Sequence, residues 1–179
     1  MTAPHSLFPR QLTPVLQLPL AGGGEYILGR ASVVAFTLLV FYRGLHCPIC
    51  KTQLTELEKK LPEFQQRGVD VVAVSADSRE RAERTKTDWH LENLKLAYGL
   101  DLRVARAWSL YISSAKPGSD EPAYFTEPAI YLVRPDGTLY FGSVQTMPFA
   151  RPHLPDILAA IDFVAEKNYP ARGEVIELP

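Results

Sequence analysis

The sequence predicts an α/β protein in which a mixed central β-sheet is flanked by helices, with an N-terminal β-hairpin ahead of it. Three observations carry that prediction. Residues 33–41 form an unbroken run of β-branched, aliphatic and aromatic residues, interrupted only by Thr37, as in a strand buried on both faces of a sheet. Helical and strand spacings then alternate, which implies parallel strands joined by right-handed crossovers. Near the C-terminus, Pro135-Asp136-Gly137 separates two apolar segments, a tight turn that adds antiparallel strands.

Taken in order, residues 16–30 read as a hairpin whose turn is Gly22-Gly23-Gly24. The triplet lacks a following Gly-Lys-Ser/Thr and lies between strand-like arms, so it is a turn rather than a phosphate loop. After the 33–41 strand, Leu54, Leu57, Leu61 and Phe64 fall at helical spacing from Pro48 onward. Pro48 suits the first turn, where its missing N–H costs nothing. Gly68 is a C-terminal stop, and Pro62 is expected to kink or shorten the helix. Residues 69–75 are a second strand. Asp77 with Glu80 reads as a helix start, and the helix over 78–89 alternates both charge signs, as a solvated face does. Residues 94–98 are a third strand, Asp101 caps a short helix to Trp108, and 113–127 read as a long loop. Residues 129–133 and 138–141 are the two arms around the Pro135 turn, and a last helix spans 155–167 with Ile157, Ile161 and Val164 inward.

The 179 residues fit one domain spanning 1–179, with 1–15 a loose N-terminal segment. The formal net charge is −1, which gives no electrostatic reason to expect nucleic acid or an anionic membrane as partner. No apolar run approaches the ~20 residues that a bilayer needs. The N-terminus has no basic region followed by an apolar stretch, so it does not read as a secretory signal, and a cytoplasmic location is expected. In that compartment thiols stay reduced, and a close cysteine pair is more often catalytic or metal-binding than structural.

The two cysteines of the chain are Cys47 and Cys50, in Cys47-Pro48-Ile49-Cys50, between a buried strand and a helix. A thiolate is the reactive form of cysteine. At a helix N-terminus, free N–H groups and the macrodipole favour negative charge, so Cys47 is expected to ionise below the ~8.5 of a free cysteine. Cys50, one turn on, is placed to resolve an adduct on Cys47. The redox reading competes with two inert buried cysteines and with a zinc site, for which His46 is the one neighbouring ligand where four are usual. The redox pair needs neither a metal nor an organic cofactor. His46 is either a proton shuttle or thiolate-stabilising group, or an exposed loop residue. Arg43 is either a cation that lowers the cysteine pKa or a surface residue. His5, His90 and His153 belong to no motif, and Trp89, Trp108 and Tyr131 read as core.

The segments Phe41-Tyr42-Arg43-Gly44-Leu45-His46-Cys47-Pro48-Ile49-Cys50, Val71-Val72-Ala73-Val74-Ser75, Val104-Ala105-Arg106-Ala107-Trp108 and Pro128-Ala129-Ile130-Tyr131-Leu132-Val133-Arg134-Pro135-Asp136-Gly137 together resemble the AhpC/TSA family, the peroxiredoxin-like branch of the thioredoxin superfamily. The resemblance implies a thioredoxin-like fold and two activities, disulfide exchange through Cys-x-x-Cys or reduction of hydroperoxides. It matches Cys47 to the nucleophilic or peroxidatic cysteine and Pro128 to the cis-proline that faces the site in thioredoxin-like proteins. It implies a protein disulfide or hydroperoxide as substrate and a thiol reductant, such as a thioredoxin or glutathione system, as partner. Family members are often homodimers, although no interface signature is legible. Peroxiredoxins place Thr or Ser three residues before the nucleophile, where Gly44 stands, and an arginine at the later strand, where Pro128 stands. Those groups bind the peroxide and stabilise the leaving oxygen, and losing even one such donor costs about 3 kcal/mol. The sequence therefore ranks disulfide exchange above peroxide reduction.

Overall fold

The apolar run begins its described course at Ala35 and forms β3 (Phe36–Phe41), buried at every position. The structure, a computed structural model, describes residues 7–29 and 35–178. Val33 and Val34, expected to open this strand, lie outside those residues, as does His5.

Ahead of β3, β1 (Gln17–Pro19) pairs antiparallel with β2 (Glu25–Ile27). Gly22, Gly23 and Gly24 take φ of 85°, 105° and 85°, a left-handed path open to glycine without a Cβ penalty. The Gly22 N–H donates to the Glu83 carboxylate at 3.0 Å, so the turn meets a side chain of its own protein. Residues 10–13, read as loose, are instead pinned: Arg10 N–H donates to Leu139 O and Thr13 N–H to Gly137 O. Unpaired backbone groups at the rim of a hairpin supply those partners, a contact remote in sequence.

The helix α1 (Pro48–Gln66) buries Cys50, Gln53, Leu54, Leu57, Leu61 and Phe64. It runs through Pro62, which lies on its exposed side, where water can take up a carbonyl freed by the missing N–H. Gly68 reverses the chain with φ of 70° into β4 (Val69–Val74). The next helix, α2 (Arg79–Asp88), starts from Ser78, whose hydroxyl accepts the Arg81 N–H. Asp77 is therefore not the cap that the sequence suggests. Beyond it come β5 (Lys95–Ala97) and α3 (Leu102–Ala107), the latter capped by Asp101.

Residues 113–127, read as a loop, hold a hairpin: β6 (Ile112–Ser114) pairs antiparallel with β7 (Tyr124–Thr126). Arms of this length are too short to show a period of two. The chain closes with β8 (Ala129–Val133), β9 (Leu139–Val144) and α4 (Leu154–Lys167).

The main sheet has the order β5-β4-β3-β8-β9. The first three strands are parallel and the last two antiparallel to their neighbours. Strand alternation splits its side chains: Leu38 and Val40 pack with α1 and α4, whereas Leu39 and Phe41 pack with the hairpin residues Leu16, Leu18 and Tyr26 and with Trp108. Trp89, Trp108 and Tyr131 are all core. The N-terminus of α1 thus emerges from the end of the central strand, held from both faces. No helix among the described residues is long and apolar enough to cross a membrane.

Candidate active site

Cys47 is the N-cap of α1. Its backbone is extended, with φ of −104° and ψ of 104°, and its Sγ accepts the Cys50 N–H at 3.2 Å. That bond gives one of the unpaired first-turn donors a sulfur as partner. Pro48 follows as the first helical residue and leaves no donor to satisfy. Both cysteines are free thiols in this structure and both are buried. Cys47 is 1% exposed and Cys50 0%.

The two thiols have opposite acidities. Cys47 is pulled down from 9.0 to about 6, first by the hydrogen bond from the Cys50 side chain, then by the Cys50 N–H and by the charges of Arg151 and Arg43, against the opposing effect of burial. Burial pushes Cys50 well above 9.0, and its hydrogen bond to Cys47 adds to that rise. One proton shared between neighbouring sulfurs divides them in this way: the first holds the negative charge and the second stays a thiol.

A cation that the sequence does not single out stands over this pair. Arg151, in the segment between β9 and α4, points Nη2 at Cys50 Sγ (3.1 Å) and at Cys47 Sγ (3.8 Å). Its Nε donates to Pro148 O at 2.8 Å, and its Nη1 donates to the side chain of Gln53. Gln53 is buried on α1, one turn beyond Cys50. Two of the three guanidinium nitrogens are thus fixed, and the third is aimed at sulfur. The missed signal is the buried amide at an otherwise apolar helix position, which calls for a polar partner.

Of the sequence-predicted supporting residues, Arg43 is the one with a hydrogen bond to a sulfur. Its backbone N–H donates to Cys50 Sγ at 3.4 Å. Its guanidinium stacks on Phe125, 4.7 Å from the ring centroid, and hydrogen-bonds Glu121 at 3.4 Å. Glu127 Oε2 is 3.3 Å from Arg43 Nε, close enough for attraction between charges but not aligned as a hydrogen bond. His46 makes no hydrogen bond to either sulfur. Arg81 Nη2 lies 3.3 Å from its Nδ1. An arginine can only donate there, which leaves the ring proton on Nε2. Burial, then the charges of Arg43 and Arg81, lowers its pKa and so favours the neutral ring. His90 and His153 are exposed.

Pro128 differs from expectation. No peptide bond among the described residues is cis. Pro128 lies between β7 and β8, and its carbonyl accepts the Gln145 N–H at 2.9 Å. Its peptide bond is the trans isomer, which X–Pro bonds favour by about 0.5–1 kcal/mol.

The profile of the AhpC/TSA family matches residues 9–141. The chain belongs to the AhpC/TSA family. Members share the thioredoxin-like fold, and the chain is an oxidoreductase of this peroxiredoxin-like group. Among solved structures, it is similar to peroxidoxin BcpB of Mycobacterium tuberculosis, with a TM-score of 0.71, 15% identity, and coverage of 89% of this chain and 99% of that one. A mutant of peroxiredoxin 6 from Arenicola marina gives a TM-score of 0.74 at 16% identity, covering 91% and 76%. The bacterioferritin comigratory protein of Xanthomonas campestris gives 0.64 at 22%, covering 84% and 92%. At these identities the likeness speaks for the fold. No curated protein sequence matches the chain. The AhpC/TSA match ends before Arg151, so the arginine at the sulfurs lies outside the matched segment.

Proposed function

We propose that the chain is a thiol peroxidase in which Cys47 reduces a hydroperoxide and Cys50 resolves the product within the same chain. The observation that carries this reading is Arg151 Nη2 over a Cys47–Cys50 pair that is almost wholly screened from solvent. The Cys47 thiolate attacks the terminal peroxide oxygen. The O–O bond breaks, the departing alkoxide or hydroxide takes a proton from water, and Cys47 becomes a sulfenic acid. The Cys50 thiol then attacks that sulfur, a disulfide forms and water leaves. An external dithiol returns the pair to the reduced state.

Magnitudes show which group matters most. With a pKa of about 6, roughly nine in ten Cys47 side chains are thiolate at pH 7, against about 3% for a free cysteine near 8.5. That is a gain of about 30-fold. Intrinsic nucleophilicity falls with pKa at a Brønsted slope of about 0.4–0.5, which takes back roughly tenfold. Ionisation alone therefore yields a few-fold. A donor aimed at the departing oxygen is worth about 10²–10³, and Arg151, with Nη2 3.8 Å from Cys47 Sγ, is the cation to which we assign that role.

This reading reverses the order that the sequence suggests. The arginine missing at Pro128 has a counterpart in Arg151, and a sulfur 1% exposed suits a small reactant better than a protein disulfide. Stopped-flow reaction of the pre-reduced protein with hydrogen peroxide tests it. A rate far above that of free cysteine, lost in Cys47→Ser, is expected. A rate equal to that of free cysteine rejects it. Disulfide exchange is the second reading, favoured by Gly44, which has no hydroxyl to offer a peroxide. Rapid reduction of insulin disulfides by a protein inert to peroxide would establish it instead.

A further inference from the structure

Once Ser78 is the cap of α2, the buried acid next to it needs another explanation. The Asp77 side chain is fully buried. Its Oδ2 accepts the Leu45 N–H at 2.8 Å, and its Oδ1 accepts Arg81 Nε at 3.0 Å. Arg81 in turn reaches His46 Nδ1. A Cβ placed on Gly44 would meet both Asp77 oxygens, at 2.7 and 2.8 Å. Gly44 has φ of 131°, in the range that side chains avoid, and its carbonyl accepts the Cys47 N–H at 3.1 Å. One carboxylate therefore touches or ties each of the three residues that lead into Cys47.

We propose that Asp77 is a positioning residue for Cys47. Its carboxylate holds the turn of residues 44–46 so that the Cys47 sulfur lands on the free amides of α1, and it takes the space a side chain at position 44 would need. The proposal deepens the reading of Cys47 as the reacting thiolate and rests on it. It also explains why no hydroxyl residue stands at 44: the volume beside that Cα holds an acid, and the backbone there is left-handed. The turn is thus organised around the buried carboxylate of Asp77, just ahead of α2, and its ion pair with Arg81 on that helix, instead of a hydroxyl beside the sulfur.

The sign of the effect separates positioning from simple charge. An anion near a thiol disfavours the thiolate, so deleting Asp77 for its charge alone would lower the Cys47 pKa. Deleting it as a support frees Leu45 and lets the sulfur drift from the Cys50 N–H, which raises that pKa. The test is the ultraviolet thiolate titration of reduced Asp77→Ala and Asp77→Asn, with iodoacetamide alkylation at neutral pH as a second readout. In Asp77→Ala the Cys47 pKa is expected to climb from about 6 toward the ~8.5 of a free cysteine, with alkylation slowed several-fold. Asp77→Asn keeps an acceptor for Leu45 N–H and is expected to recover most of that loss. If Asp77→Ala fails to unfold cooperatively, Asp77→Asn decides. A pKa below that of wild type in Asp77→Asn overturns the proposal, as does a folded Asp77→Ala with an unchanged titration. Neither readout needs a substrate, so a wild-type protein inert to peroxide would remove the peroxidase reading and leave this test standing.

Discussion

Two segments about a hundred residues apart meet at the same sulfurs, and they are held very differently. The turn 44–47 is locked by main-chain bonds and by a buried carboxylate: Cys47 N–H to Gly44 O, Leu45 N–H to Asp77. The segment 145–151 carries exposed Met147 and Phe149, and one arginine side chain ties it to the site, through Gln53 and the sulfurs. The first arrangement sets where the thiolate sits. The second brings the charge that acts on what the thiolate attacks. Geometry is thus invested in rigid backbone, and electrostatics in a side chain that can yield to a reactant.

If the division is right, the largest loss outside Cys47 itself follows from removing that charge. Arg151→Met is expected to slow peroxide reduction by about 10²-fold or more and to raise the Cys47 pKa, as stopped-flow rates and thiolate absorbance would show. Next comes Cys50→Ser. It keeps a first turnover, because Cys47 still forms a sulfenic acid, and it loses recycling. A dimedone-type trap should label Cys47 in that variant and leave wild type unlabelled. Gln53→Leu is expected to have a smaller effect, about tenfold or less, since the guanidinium keeps Pro148 O and the sulfurs as partners. A Gln53→Leu loss as large as that of Arg151→Met would mean that the segment depends on α1 for its whole conformation.

A separate expected effect falls on stability rather than on rate. The Cys47 pKa is depressed in the folded state to about 6, whereas the unfolded thiol titrates near 8.5. Between those values the unfolded chain binds the extra proton, so stability rises with pH. Reduced wild type is expected to gain on Cys47→Ser in denaturant midpoint from pH 6 to pH 8, and the oxidised protein is expected to show no such gain. The difference shrinks as pH falls through 6.

The same contrast decides how much was legible in the sequence. Strands such as residues 36–41 and the stripe of Leu54, Leu57, Leu61 and Phe64 declare themselves, because burial imposes a period on neighbouring residues. The Cys47 turn is legible too, as its parts are contiguous. Arg151 lies 104 residues from Cys47, in a segment without periodicity, and nothing local distinguishes it from a solvated arginine. The β6–β7 hairpin is hidden by the brevity of its arms. Asp77 misleads because a cap and a buried acceptor place the same residue type before a helix; Ser78 next to it does the capping. The cis isomer at Pro128 is implied by the family resemblance alone, with no local signal behind it, and the bond is trans.

Cys47 is an anion at neutral pH because of its bonds to Cys50, its place at the start of α1 and the charge of Arg151. The most direct test is the pH titration of thiolate absorbance in the reduced protein, wild type against Cys47→Ser. A single ionisation with a midpoint near pH 6 that disappears in Cys47→Ser is the expected result. No thiolate below pH 8 in wild type would contradict it.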